Sequence, residues 1–490
     1  MQNAAAAQAD TVAAGFALLH QPRRALAIAW TALAADPGNL QARLLEGAAC
    51  KALGRRAPAI AAFRAVLAAD PTRAAVAVNL ANALAEDGCL DEAATWLRHA
   101  LAHRPALLPA HVSLIGVLAM GGDLAALEAA CLAALSVDPA LVQAHQHLAE
   151  LLARRGLIDE AHRHREAAWG RQRLFVEPAP QASPRVLVLL STEDGNIPLR
   201  YLLPGQRYTL FKWLIDAVPA EHLEAEAAAL PGYDLVLNAV GEPDLPAASF
   251  AALARFAALC PRPLLNAPAR IAPTRRDRLG TLLAGIPDLV VPETRLLGAG
   301  AAPPDGAFLF RPIGAHGGDG LRLIADGLAP DRTGYATAFH DFRGPDGAWR
   351  KYRAIFVDRR PYPYHLAIAD HWLVHYYTAG MEHSPTRRAE EAMFLAAPEA
   401  AIGTRAMAAL AAIGQRLDLD YAGIDFSVLA DGRLLVFEAN ATMVVHPEAG
   451  DGPFAYKNRA VGRILDAFDT MLALRRAHFA ARAGQAPQTI

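Results

Sequence analysis

Lysine is scarce in this chain. It occurs only at Lys51, Lys212, Lys351 and Lys457, within a total of 47 lysines and arginines. Arginine is therefore the default cation, and a retained lysine carries more information than an arginine in the same place. Cysteine is equally rare, at Cys50, Cys89, Cys131 and Cys260, with no CxxC spacing. That argues against zinc ligands and a disulfide framework; three of the four sit in apolar helical contexts, and buried, reduced thiols are expected. No apolar run approaches the ~20 residues that span a bilayer. The N-terminal stretch lacks the basic start and apolar run of a signal peptide. Net charge is −2 with both signs interspersed, so nothing favours nucleic acid or a membrane as partner. A cytoplasmic chain is expected, and 490 residues suggest two to four domains.

What is present begins with a repeat. Asp36-Pro37, Asp70-Pro71, Arg104-Pro105 and Asp138-Pro139 recur every 34 residues, and Gly54, Gly88, Gly122 and Gly156 recur midway between them. Glycine at a helix–helix turn and proline after the second helix match the tetratricopeptide repeat. Small residues (Ala81, Ala93, Ala100) let paired helices approach, and Leu80, Leu84 and Leu97 fill between them. Roughly five copies are expected over residues 6–175, as a solenoid with a groove for a peptide or protein partner.

Residues 176–184 carry three prolines and read as a linker. Beyond it, Arg185–Leu190 is a continuous apolar run suited to a buried parallel strand. Helix is expected around 208–218, strand over 233–238, helix over 250–259 and a short strand at 263–266. Strands alternating with helices point to a small α/β layer. A helix starting near Asp277-Arg278-Leu279 and a strand at 290–294 follow.

Two later stretches carry chemistry. In 308–324 an apolar strand ends at Arg311; a loop with Gly314, Gly317, Gly318 and Gly320 follows, and a second apolar strand resumes. Glycines let backbone N–H groups approach an anion, and Arg311 adds a permanent charge. Gly-Lys-Ser/Thr and a following helix are absent, so this is no Walker A loop. The second stretch, 421–440, places two β-rich runs around Asp431-Gly432. With a two-residue hairpin turn, Ala430 pairs with Arg433, Asp425 faces Glu438, and Asn440 shares their face. Ile424, Phe426, Val428, Leu435 and Phe437 then fall on the core face. Two facing carboxylates repel, unless a divalent cation with oxygen ligands, such as Mg²⁺ shared with phosphates, sits between them. A nearby arginine, or a longer loop and a slipped register, is the alternative. On 350–357, Lys351 and Arg353 share one strand face. The histidine- and tyrosine-rich stretch 361–381 could form an acceptor pocket, with His365 or His375 as a proton acceptor; His446 is a third candidate.

Taken in order, these pieces resemble the ATP-grasp superfamily over about residues 185–460, closest to its D-alanine–D-alanine ligase and glutathione-synthetase-like branches. Asn266-Ala-Pro, Asp277-Arg278-Leu, Val291-Pro-Glu-Thr, Phe310-Arg311-Pro with its glycines, and Asp425…Glu438-Ala-Asn440 stand where that family has its motifs. Arg278 and Arg311 replace the two lysines that usually touch ATP phosphates, an exchange of a compact ammonium for a planar fork. Residues 338–342, with His340 and Phe342, fall on the hinge strand that usually holds adenine.

The resemblance implies a multidomain architecture: repeats over 1–175, a linker over 176–184, an α/β pre-ATP-grasp domain over 185–290 and an α+β ATP-grasp domain over 291–490. It implies ATP and Mg²⁺ as cofactors, with Asp425, Glu438 and Asn440 on the metal. Arg278, Arg311, the four loop glycines, His340 and Phe342 would contact nucleotide, and Lys351, Arg353 and Arg311 would act in catalysis. The expected activity is an ATP-dependent ligase that forms an amide-type bond through an acyl phosphate on a small-molecule or peptide carboxylate. A kinase acting on a hydroxyl and a noncatalytic nucleotide-binding adaptor are the alternatives.

Overall fold

The structure, a computed structural model, describes residues 20–170, 172–180, 182–193, 195–302, 306–314, 320–324 and 332–484, with residues 12, 14, 15 and 17. The chain divides into two compact units, Met1–Gln172 and Arg173–Ile490.

In the first unit the phased glycines and prolines do what their spacing predicts. Helices end at Ala35, Ala69, His103 and Val137, each two residues before a repeat proline, because proline cannot continue the helix. Gly54, Gly88, Gly122 and Gly156 turn the hairpins at φ of 70°, 84°, 77° and 78°, a region that L side chains enter at ~1–2 kcal/mol. The hairpins are Leu40–Ala52 with Arg56–Ala69, Ala74–Glu86 with Leu90–His103, Leu108–Gly121 with Leu124–Val137, and Val142–Arg154 with Ile158–Trp169. Leu80, Ala81, Leu84, Ala93, Leu97 and Ala100 are all buried, as expected. His111 and His145, one repeat apart, donate Nε2–H to the carbonyls of Pro105 and Pro139 at 2.8 and 3.0 Å. Cys50 and Cys131 are buried but Cys89 is exposed, so the expectation of buried thiols fails there; it precedes the helix Leu90–His103, outside the hairpin core.

The second unit opens earlier than expected. Val176 and Glu177, assigned above to a linker, belong to strand β1 (Leu174–Glu177), which pairs antiparallel with β3 (Thr209–Leu214). β3 replaces the helix expected around 208–218. Its Thr, Phe and Trp favour a strand, and the ladder to β2 (Arg185–Leu190) decides the matter. β4 (Leu235–Asn238) and β5 (Leu264–Leu265) complete a sheet ordered β1-β3-β2-β4-β5, parallel except at β1. Val186 to Leu189 of β2 are fully buried, as its unbroken apolar run requires.

Two more sheets follow. The expected strand at 290–294 is split at Pro292 into β6 (Leu289–Val290) and β7 (Thr294–Leu297), which join different sheets. β7 lies in the order β7-β10-β8-β9 with β8 (Phe308–Pro312), β9 (Arg322–Ile324) and β10 (Gly334–Ala338), all antiparallel. The third sheet runs β12-β11-β13-β14-β6, through β11 (Trp349–Val357), β12 (Arg360–Ala369), β13 (Tyr421–Val428) and β14 (Leu434–Asn440). Ile424 and Phe426 face its core, which takes in Phe394, Leu410, Ile413, Ile464 and Phe468 from the covering helices. The opposite face is left to the site. Among the described residues no helix is long and apolar enough to cross a membrane.

Candidate functional site

The ribbon β13–β14 is the frame of the site, and it reaches the expected pairing by an unexpected route. Leu429 and Arg433 close a three-residue loop, with Leu429 N–H donating to the Arg433 carbonyl at 2.9 Å. Gly432 takes φ of 82°, the left-handed position that ends such a loop. The two-residue turn and the Ala430–Arg433 pair are therefore corrected. Ser427 pairs with Leu435 and Phe426 with Val436, one step out of the expected register. A bulge at Phe437 then restores it, so that Asp425 faces Glu438 and Gly423 faces Asn440. A second consequence corrects the face assignment: Leu435 shares the face of Asp425, and Leu435 and Phe437 line the cavity beside the carboxylates. The start of β13 is pinned by buried Asn266, whose side chain bonds both N–H and C=O of Tyr421 at 2.8 and 2.9 Å.

Repulsion between the two carboxylates is relieved by guanidinium groups. Arg353, facing Asp425 across β11 and β13, donates Nε and Nη2 to it at 2.5 and 2.8 Å. Lys351 lies 3.3 Å from the same carboxylate. Glu438 pairs with Arg276, from the helix Arg276–Leu282. Burial alone would raise the pKa of Asp425; the charges of Arg353 and Lys351 outweigh it and hold the carboxyl well below the usual range. Burial and Arg276 oppose each other at Glu438 in the same way, and the cation again prevails. At Arg311, burial lowers the pKa, and the neighbouring Arg276 adds to the effect.

These groups line a cleft in two parts. The polar part, a cavity of about 300 Å³, takes Arg276, Arg311, Lys351 and Arg353 as cations and Asp425, Glu438, Glu242 and Asp244 as carboxylates. Gly314 and Asn440 also line it. Asn440 Oδ1 accepts from Thr442 N–H and Oγ1–H, both at 3.0 Å. The apolar part, about 120 Å³, has Leu309, Phe339, Phe342, Trp372 and Phe437 in its walls, and His340 at its edge. Phe342 is buried edge-on to Trp349 at 4.6 Å and beside Phe437 at 4.8 Å. β10 stops at Ala338, so 339–342 is a connection rather than a strand; Ala338 and Phe339 N–H donate to the Glu293 and Ala307 carbonyls.

Most of the expected site residues thus meet in one cleft. Arg278 does not: it is exposed and lines neither part. Two positions along a helix turn a side chain by ~200°, which sends Arg278 outward and brings Arg276 in. Gly320 sits against Pro312, and Gly317 and Gly318 lie outside the described residues. The sequence reading missed Arg276, Glu242, Asp244 and Tyr335, whose hydroxyl donates to Asp244. Only the position of Arg276 next to the expected motif offered a signal.

The donor set can be tested for a metal. Among the described residues no three His, Cys, Asp or Glu side chains cluster as a metal cage. Two carboxylates and an amide, all oxygen donors lining one cleft, suit a hard cation that completes its shell with phosphates and water. Asp425 and Glu438 fit that role; Asn440 fits it once Thr442 releases its oxygen.

The fold and site therefore define a class: a helical-repeat unit joined to a mixed α/β unit whose cation-rich cleft surrounds two opposed carboxylates. No family model and no curated protein matches the chain. Solved structures do. MamA is 24% identical, with 30% of this chain and 86% of that chain covered at a TM-score of 0.29. TTC0263, a thermophilic TPR protein in Thermus thermophilus, is 24% identical over 33% of this chain and 90% of its own, at 0.27. YrrB, a TPR protein with an unusual peptide-binding site, is 20% identical over 33% and 84%, at 0.30. The repeat assignment stands on the phased glycines, prolines and helix hairpins themselves.

Proposed function

We propose that residues 173–490 form an ATP-grasp-type ligase that uses Mg²⁺·ATP to join a carboxylate to an amine, and that the repeats dock a peptide or protein. One observation carries the reading: Asp425 and Glu438 oppose each other on a cleft into which Arg276, Arg311, Lys351 and Arg353 converge. Mg²⁺ held by Asp425 and Glu438 would supply positive charge against the triphosphate oxygens. The apolar part suits the adenine ring, with Phe342 and Phe437 fixed by their mutual packing. Arg276 and Arg311 hold phosphate oxygens; Lys351 and Arg353, loosened from Asp425, orient the substrate carboxylate. The carboxylate oxygen bonds to the γ-phosphorus as the bond to ADP breaks. The amine then attacks the acyl carbon, phosphate leaves, and the amine proton passes to a neutral base. His375, kept neutral by burial and by nearby Lys351 and Arg353, lines the polar part and is placed for that transfer. These groups act mainly by position and preset charge.

The test is Glu438→Gln in the full chain. ADP formation over a panel of acids and amines should drop by roughly a hundredfold or more, the scale of one lost electrostatic contact, with the circular dichroism spectrum unchanged. Unaltered turnover by the folded variant removes the metal role. A noncatalytic adaptor is favoured by one observation, that both carboxylates already carry guanidinium partners. ATP binding without turnover on any acid, amine or alcohol would establish it, and a stable phosphate ester would identify a kinase.

A further inference from the structure

A third cavity, of about 190 Å³, shares Lys351, Arg353, His375 and Val444 with the polar cleft. Its remaining walls are mostly rings: Tyr364, His365, Tyr376, Tyr377 and His446. The last lining residue is Lys457, itself buried, with Nζ 2.6 Å from Glu448 and 4.1 Å from the centre of the Tyr376 ring.

Charge decides the sign of what fits. Lys351, Arg353 and Lys457 bring three positive charges to the lining itself, whereas the carboxylates near them, Asp425, Glu448 and Glu391, stand behind the wall and outside it. His365 adds none, because burial and then Arg353 push its pKa well below the ordinary value and keep it neutral. Arg353 has five N–H donors and Asp425 takes two, so the fork can meet a second anion. His365 is 6% exposed, and its Nε2 has no hydrogen-bond partner. A buried polar atom without a partner is costly, and this one is shielded from the cavity, so His365 shapes the wall without bonding a ligand.

Shape decides the rest. A cavity of ~150 Å³ lined by apolar side chains takes up benzene, so 190 Å³ accommodates one ring with a small polar group. The walls are fixed before anything binds. His365 stacks on Tyr376 at 4.6 Å and 21°, and the Tyr376 hydroxyl donates to buried Glu391 at 3.0 Å. Glu391 also accepts from Tyr456 and from the Leu366 N–H. Tyr377, 72% exposed with its hydroxyl 3.0 Å from His446 Nε2, forms the rim. Prefixed rings lower the ordering cost of binding a flat ligand.

We propose that this cavity binds the acid substrate, and that the acid is a single aromatic ring bearing a carboxylate. The carboxylate lies toward Lys351 and Arg353, and the ring lies among the tyrosines and histidines. The word substrate rests on the ligase reading; the ligand class rests on this cavity alone.

Calorimetric titration of the full chain without nucleotide tests it with three probes. Benzoate has ring and charge, cyclohexanecarboxylate keeps the charge without the aromatic face, and benzamide keeps the ring without the charge. Benzoate should bind at least roughly tenfold tighter than either. Tyr377→Ala, at the exposed rim, should weaken benzoate roughly three- to tenfold, the worth of one aromatic contact, and leave cyclohexanecarboxylate less affected. Equal affinities for the three probes, or no benzoate binding by the folded protein, overturn the proposal. Mg²⁺·ATP binding on the same sample separates the two ideas. Nucleotide binding without benzoate preference removes the aromatic acid alone, and benzoate preference without nucleotide binding removes the ligase and upholds the cavity.

Discussion

Glu438 and Arg276 concentrate the question at the scale of single residues. Their pair relieves the repulsion between Glu438 and Asp425, which is also what a bound metal would do. Arg276→Met leaves Glu438 without its cation and should cost about 1–3 kcal/mol of stability in the absence of metal. If Glu438 is a metal ligand, millimolar Mg²⁺ should restore much of that loss and stabilise the variant more than the parent protein. Thermal melts with and without Mg²⁺ read this directly. A variant equally unstable in both buffers speaks for a purely structural ion pair. Residue identities at this site were largely legible in the sequence. The Asp431-Gly432 turn and strand alternation could put Asp425, Glu438 and Asn440 on one face of the ribbon, and alternation could put Lys351 and Arg353 on one face of β11, but that the two faces coincide is decided by the β11–β13 ladder. Arg276 could not, because choosing between it and Arg278 needs the phase of a seven-residue helix, and a short helix with cations at both positions does not display one.

At the scale of elements the ribbon β13–β14 shows how two local features can cancel. The three-residue loop shifts the register by one, and the bulge at Phe437 shifts it back before the carboxylates are reached. Bulges recur beside functional sites because they re-aim side chains; this one turns Phe437 into the apolar wall and keeps Glu438 opposite Asp425. The loop depends on Gly432, whose φ of 82° disfavours any side chain, while an added Cβ would meet nothing closer than Arg405 Nη1 at 3.9 Å, an ordinary contact. Gly432→Ala should therefore cost about 1–2 kcal/mol through backbone strain alone, with activity at saturating substrates unchanged. A chemical denaturation midpoint equal to that of the parent would refute the left-handed position at residue 432. Asp431-Gly432 announced a turn in the sequence, but a turn dipeptide does not state the loop length; the ladder does.

On the scale of the whole molecule, the two units have separate cores. Among the described residues the repeat core runs from Val12 to Ala161 and holds none from the second unit, and the sheets carry their own clusters. Stacked hairpins derive their stability from nearest neighbours, so a cut after Gln172 should leave both pieces folded. Residues 1–172 and 173–490, expressed separately, should each show a cooperative melt and native-like circular dichroism. An unfolded 1–172 fragment would contradict the division. The cut falls at Arg173 rather than in the proline-rich stretch because β1 is already paired with β3, a contact that proline content cannot reveal.

By itself, the sequence determined whatever is encoded by local period. The 34-residue spacing specified the helical hairpins, the unbroken apolar run specified the buried strand β2, and alternation put Asp425, Glu438 and Asn440 on one face of their ribbon and Lys351 with Arg353 on one face of β11. Tertiary structure alone decided where long-range pairing chooses among local options: β3 as a strand, Arg276 inside and Arg278 outside, Leu435 on the cavity face, and a ring-lined cavity assembled from β11, β12 and the segments that follow β12 and β14. The physical reason is the same throughout. A side chain's direction follows from its own few neighbours, but its surroundings are set by ladders and packing with residues far away in the chain.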